Sequence, residues 1–288
     1  VRLHEQTLEG ISTMRQGQGR TTERKQNGFT LLFQQRLRVS KAGAAAGHPY
    51  WHVDLNAGCG RNEIAGCLGS PLVFLNEAVS SRRRFNALMC DSDPDAIRRL
   101  DDVTYFARER ADGSQLRLVC DDNAAALAQF SEWIADEEKR PELAVGTWLC
   151  DPNGGSKENR LPLEALKRFC HRHQRIDAVL SLNISLFARV RKCKGNPRTP
   201  GFDHWPDPQD VCGLRPFKAH WLVRNPAPRR GSGESFTMFL GSNHPGGMEQ
   251  FEQFYRLESA KGQEIVNNLK RVQPDQPWLW EDWKESEA

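Results

Sequence analysis

The chain reads as an α/β protein built on a doubly wound, mostly parallel sheet. Three observations predict it. Short apolar runs alternate with amphipathic stretches of about 10 to 18 residues, the pattern of strand–helix–strand units. An acid or amide recurs immediately after the apolar runs. A glycine-rich turn, Gly58-Cys59-Gly60, closes the first of them in HVDLNAGCG.

Taken in order, residues 1–49 are polar and glutamine-rich. FTLLFQQRLRVSKA, from Phe29, carries an apolar face that suits a helix, and AGAAAGHP links it to Tyr50. WHVDLN is the first strand. PLVFLNEAVSSRRR is a helix from Pro71, a residue suited to a first turn. FNALMC, QLRLVC, AVGTWLC and DAVLSLN are the next four strands. DPDAIRRLDD opens a helix at Pro94, DNAAALAQFSEWIADEEKR one with an Asp or Asn cap, and LPLEALKRFCHRHQ a third. ISLFARVRK is read as a helix, KAHWLVR and SFTMFLGSN as late strands, and MEQFEQFYRLESAKGQEIVNNLK as a long amphipathic helix. The organisation expected is an extension over 1–49, a domain over 50–247 with a basic insert at 189–218, and a helical tail over 248–288.

Composition narrows the class. The chain has 288 residues, 38% hydrophobic and 27% charged, enough to bury a core. No apolar run reaches membrane-spanning length and no secretory leader is read, so a cytoplasmic protein without membrane contact is expected. The eight cysteines form no CxxC pair and no zinc framework. Cys90, Cys120 and Cys150 close apolar runs and read as buried strand-end thiols. The His171-Arg172-His173 spacing does not suit a helical metal pair and reads as solvent-facing. Net charge is only +3, but Arg189–Arg230 holds ten Lys or Arg against three Asp. Such a stretch suits a polyanion, nucleic acid among them.

Right-handed crossovers place all parallel strand ends on one edge, where ligands bind. The residues there are Asp54, Ala57, Gly58 and Gly60, then Asp91 and Asp93, Asp121 and Asp122, Asp151, Pro152, Asn153 and Gly154, and finally Asn183 and Ser185. Glycines let backbone approach a ligand. An acid after the second strand suits a ribose diol, and one after the third suits an adenine amino group. Each acid alone also reads as a helix cap. In GCGRNEIAGCLG the third glycine comes too late for a dinucleotide fingerprint, and no Walker motif is present. An adenosyl cofactor without a diphosphate fits better.

DLNAGCG resembles the D-x-x-A-G-x-G loop of class I S-adenosylmethionine-dependent methyltransferases. With GSPLVFLNEA, CDSDPDAIRRL, CDPNG and WLVRNP…FTMFLGSN, the order over roughly 50–243 resembles the three-Cys-motif partner proteins, a methyltransferase-like family of bacteria and their mobile elements. The resemblance implies a Rossmann-like methyltransferase sheet of seven strands with an antiparallel last strand. It implies that Gly58 and Gly60 pack under the methionine part of S-adenosylmethionine, with Asp54 anchoring the loop. Asp91 would bind the ribose, with Asp93 its competitor, and Asp121 or Asp122 the adenine. Asp151, Pro152 and Asn153 would face the transferred methyl.

Base amino-methyltransferases carry an aromatic at the position of Gly154, where it stacks on a flipped base. Trp148, Phe187 and Trp205 are candidates to replace it. Arg189, Arg191, Lys192, Lys194 and Trp205 are read as nucleic-acid contacts. The function expected is methyl transfer to nucleic acid. The alternatives are a catalytically silent cofactor-binding partner protein of a mobile-element or phage system, and a different adenosyl-cofactor enzyme.

Overall fold

The computed structural model describes residues 22–42, 47–62, 66–108, 112–151, 162–183, 214–224, 236–244 and 254–265. Their elements are α1 (Thr22–Ala42), β1 (Tyr50–Asp54), β2 (Arg61–Asn62), β3 (Cys67–Leu68), α2 (Ser70–Ser80), β4 (Phe85–Asp91), α3 (Pro94–Arg108), β5 (Gln115–Cys120), α4 (Asn123–Glu137), β6 (Gly146–Cys150), α5 (Leu163–Arg172), β7 (Ile176–Asn183), β8 (His220–Arg224), β9 (Phe236–Ser242) and β10 (Phe254–Arg256).

Eight strands form one sheet in the order β10-β8-β9-β7-β6-β1-β4-β5. β5, β4, β1, β6 and β7 are mutually parallel. β9 runs antiparallel to both β7 and β8. The last of the predicted strands is therefore antiparallel, and the fold is the doubly wound, mostly parallel Rossmann-like sheet expected, with β10 added as an eighth strand to the seven that the resemblance implies. Strand order reverses between β1 and β6: the chain steps outward through β4 and β5, then returns through β6 and β7. β1 and β6 are buried at every residue, as central strands covered on both faces are.

Helices cover both faces. α4 and α5 pack with Trp51, Phe130, Trp133, Trp148 and Phe169 on one side. α1, α2 and α3 pack with Phe29, Phe33, Phe74 and Phe85 on the other. α2 has Pro71 in its first turn, and Asp122 caps α4 by accepting from the N–H groups of Ala124 and Ala125.

α1 starts seven residues before Phe29. Phe29, Leu32, Phe33 and Leu37 are fully buried, each contributing about 1.5–3 kcal/mol of burial. Lys25, Arg36 and Ser40 lie on the same stripe and are buried too. Gly28 sits mid-helix, where glycine costs about 1 kcal/mol against alanine. A Cβ there would stand 2.4 Å from an Nη of Arg224, so the glycine lets the β8 arginine cross the helix.

Three expectations are corrected. Within the predicted helix at 248–270, Phe254–Arg256 is β10, paired antiparallel with Leu222–Arg224; helix is seen at 260–265. The open edge of β8 takes these three residues, and Phe254 and Tyr255 turn to opposite faces of the sheet as period two requires. Cys120 is exposed, because β5 is the edge strand, whereas Cys90 and Cys150 are buried. His173 is fully buried, with Nε2 at 2.9 Å from the Ser131 hydroxyl and Nδ1 at 3.3 Å from the Pro141 carbonyl. Burial lowers its pKa to about 4. The helix read in ISLFARVRK lies outside the described residues.

Candidate functional site at the carboxyl edge of the sheet

The reversal between β1 and β6 opens a crevice at the carboxyl ends of the strands, the place where such sheets bind ligands. Hydrogen bonds there join the turn after β1 to the residues at the end of β6. The side-chain carbonyl of Asn56 accepts the Asp151 N–H at 3.0 Å and the Cys150 thiol at 3.3 Å. The Asn56 N–H donates to Asp54 Oδ1 at 3.1 Å. Asn56 thus ties the two strand ends by its side chain, beside the Leu55 N–H that donates to the Leu149 carbonyl at 3.0 Å.

The turn is held open from its other side. Gly58 donates its N–H to Asp91 Oδ2 at 2.9 Å, and Ala57 donates to the Cys90 carbonyl at 2.8 Å. Gly58 and Gly60 have φ of 59° and 76°, a region that favours glycine. A Cβ on Gly58 would meet nothing within 4 Å, so its surface is open; one on Gly60 would stand 2.8 Å from Leu100, so that glycine is packed. Within RNEIAGCLG, Arg61–Asn62 and Cys67–Leu68 pair as the antiparallel β2–β3 ribbon. It is closed where Gly69 donates to the Gly60 carbonyl at 2.7 Å.

The acids divide into two kinds. Asp54 is fully buried, and burial pushes it up to about 7. The Ser70 hydroxyl and the Asn56 N–H pull it down, and the charges of Asp151 and Asp91 push it further up. Asp91 is also raised by burial, against hydrogen bonds from Asp93 and Gly58. Asp93, by contrast, caps α3, accepting the Asp95 N–H at 2.9 Å. Asp122 caps α4. Asp121 accepts from Gln129 Nε2 at 3.0 Å and stays partly exposed.

Asp151 is buried and forms an ion pair with Lys25 of α1 through Oδ2. Its Oδ1, like Oδ2 of Asp54, is buried without a hydrogen-bond partner among the described residues. Sequence reading missed Lys25, which lies before the apolar face it recognised in α1, and Asn56, which it passed over as a turn residue. Among the sequence-predicted residues, Asp54, Ala57, Gly58, Gly60, Asp91 and Asp151 converge; Asp93, Asp121 and Asp122 line the same edge beside them. Pro152, Asn153, Arg189, Arg191, Lys192, Lys194 and Trp205 lie outside the described residues. Trp148 is fully buried in the core and cannot stack on a ligand. Among the described residues no group of three His, Cys, Asp or Glu could hold a metal ion, and no helix is long and apolar enough to cross a membrane.

No family model matches the chain, and no curated protein matches it in sequence. Solved structures do. A probable spermidine synthase from Corynebacterium glutamicum is 12% identical with a TM-score of 0.42, over 85% of this chain and 71% of that one. Magnesium protoporphyrin IX methyltransferase from Synechocystis, solved with bound S-adenosylhomocysteine (SAH), is 12% identical with a TM-score of 0.39, over 76% and 83%. The plantazolicin methyltransferase BpumL, also solved with SAH, is 11% identical with a TM-score of 0.38, over 78% and 87%. Similarity at this level leaves activity and substrate to be derived from the site itself.

Proposed function

We propose that the chain is an S-adenosylmethionine-dependent methyltransferase acting on the amino group of a nucleic-acid base. One observation carries the reading: an open glycine turn, Asp91 and Asp151 converge at the point where strand order reverses. The fit to the cofactor is supported by the bare surface over Gly58 and by buried carboxylate oxygens of Asp54 and Asp151 that have no partner among the described residues.

Each residue then takes a role. Asp91, oriented by the Gly58 N–H, receives the ribose diol. Asp93 and Asp122 are occupied as helix caps, which favours Asp91 over the first and Asp121 over the second for the ribose and the adenine. Asp54 anchors the turn through Asn56. When bound, S-adenosylmethionine supplies a methyl group on cationic sulfur, whose carbon–sulfur bond breaks as the new bond to nitrogen forms. Asp151 accepts a hydrogen bond from the acceptor amine, aims its lone pair, and takes the proton that nitrogen sheds. Pro152 and Asn153, next in sequence, take the role of facing the transferred methyl. Arg189, Arg191, Lys192 and Lys194 would track phosphates, with Trp205 stacking on a base. The motif order supports placing the chain with the three-Cys-motif partner proteins of bacteria, phages and mobile elements, in the cytoplasm, with a protein partner.

A second reading, a cofactor-binding partner protein without transfer, is favoured by Asn153 and Gly154 standing where a proline and an aromatic are expected. The burial of Trp148 removes one of the three substitutes for that aromatic. Methyl-labelled cofactor incubated with the protein and total bacterial DNA or RNA separates the two. Transfer of label, reduced by roughly a hundredfold or more in Asp151→Ala while cofactor binding persists, supports the enzyme. Cofactor binding with no transfer supports the silent partner.

A further inference from the structure

We infer that Lys25 of α1 is a positioning residue of the transfer site, holding one oxygen of Asp151 so that the other faces the acceptor and balancing the charge set against the cofactor's methylsulfonium. This rests on the reading of the sheet edge as an S-adenosylmethionine site. Lys25 comes from a helix that precedes every strand of the sheet, yet its ammonium meets Asp151 at the carboxyl end of β6. Its side chain is 4% exposed and that of Asp151 is 6% exposed. A lysine is rarely buried so fully unless paired.

The pairing leaves Asp151 only half used. Oδ2 meets the ammonium, the backbone N–H is fixed by Asn56, and Oδ1 is buried with no partner among the described residues. A carboxylate held at one oxygen and at its backbone has little freedom left. Its remaining oxygen is a fixed acceptor for a single N–H or O–H.

Charge balance points the same way. Asp91 and Asp151 lie close enough to Asp54 to act on it electrostatically. Without a cation, this edge would hold a cationic sulfonium tightly and release the neutral product readily, but would also attract any stray cation. Lys25 cancels the carboxylate nearest the transferred group. Arg224, packed across Gly28 one turn along α1, adds a second positive group against the same helix. An ammonium here disfavours a protonated amine as acceptor and favours an uncharged one, such as a base amino group.

The relative affinity for S-adenosylmethionine and SAH serves as an electrometer, because the two differ in one methyl and one positive charge. The full chain is titrated with each ligand by calorimetry, with thermal unfolding recorded for every variant. Lys25→Met is expected to shift the affinity ratio toward S-adenosylmethionine, and Asp151→Asn toward SAH, each on the order of tenfold for charges a few ångströms apart in a partly screened cleft. Lys25→Arg should stay within about twofold of the parent, since it keeps the charge. If Lys25→Met does not fold, Lys25→Gln, which removes the charge but keeps a hydrogen-bond donor, is read in its place with the same expected shift. Ratios that stay unchanged in folded variants that bind both ligands overturn the role of Lys25 and leave the cofactor site standing. Failure of the parent chain to bind either ligand overturns the cofactor reading itself.

Discussion

Among the described residues α1 makes two buried ion pairs, one at each end of the sheet, and they differ in a way that separates site from scaffold. Lys25 pairs with Asp151 at the carboxyl edge, and Arg36 pairs with Asp177 at the start of β7. The eleven-residue step between them spans about 16 Å of helix, about the rise of five extended residues. α1 therefore lies along the strands, with one cation at each edge. Burial does not distinguish the pairs: side chains are 4% and 6% exposed in the first and 6% and 3% in the second. Completion does. Arg36 also donates to the His244 carbonyl at 2.9 Å, and Asp177 has the Ser242 hydroxyl and Lys218 beside it. Lys218 in turn is pinned by the Gln174 and Ile176 carbonyls. Asp177 Oδ2 makes no hydrogen bond but faces the Arg36 guanidinium, whereas at the other edge Oδ1 of Asp151 has neither a hydrogen bond nor an ion pair among the described residues. A buried pair surrounded by its own partners is structural; one left incomplete at a switch point expects a ligand.

The comparison can be broken at its closed end first. Arg36→Met should destabilise the fold by about 3–5 kcal/mol, because Asp177 is left buried without its main counter-charge. Urea unfolding measures it. Arg36→Met combined with Asp177→Leu should recover most of the loss, since an apolar pair replaces an ionic one. A small effect of the single change would remove the structural role.

The open end should show itself in pH. Asp54 titrates near 7 in the folded chain against 3.8 as a free carboxyl. The folded state then binds the proton more tightly, so its contribution favours folding below pH 4 and is lost progressively as pH rises to about 7. Asp54→Asn should gain stability over the parent across that window, up to about 4 kcal/mol above pH 7. His52 and His173, lowered to about 3 and about 4, run the other way between there and 6.5 and are common to both proteins, so the difference isolates Asp54. A pH-independent difference would contradict the buried, ligand-seeking carboxyl.

A smaller effect is expected where the two walls of the crevice meet. Asn56→Ala removes the acceptor of the Asp151 N–H and the Cys150 thiol and should cost about 1–3 kcal/mol. It should also weaken cofactor binding, because the turn loses its side-chain tie to β6. Loss of stability alone would make Asn56 part of the scaffold.

Much of the fold was legible in the sequence, for physical reasons. Strand–helix alternation and the acids after the strands are local patterns, so the sheet and the residues at its edge could be read directly, while the antiparallel β9 followed from the family resemblance. The features that escaped depend on contacts between distant segments. Lys25 reads as one polar residue in a polar stretch until α1 crosses the sheet. Asn56 reads as a turn former until β6 arrives beside it. Phe254 and Tyr255 fit a helical period as well as a strand, and only the free edge of β8 decides. His173 comes two residues after an exposed histidine, and its burial depends on α4 and Pro141.

The central claim is that the open edge binds an adenosyl cofactor through Asp91, with Asp93 serving only as a cap. Titrating SAH into the parent chain, Asp91→Ala and Asp93→Ala by calorimetry tests it most directly. One ligand should bind per chain, with affinity lowered roughly ten- to a hundredfold in Asp91→Ala, as loss of hydrogen bonds to a charged group predicts, and only a few-fold in Asp93→Ala. No binding to the parent, or equal losses in the two variants, would contradict it.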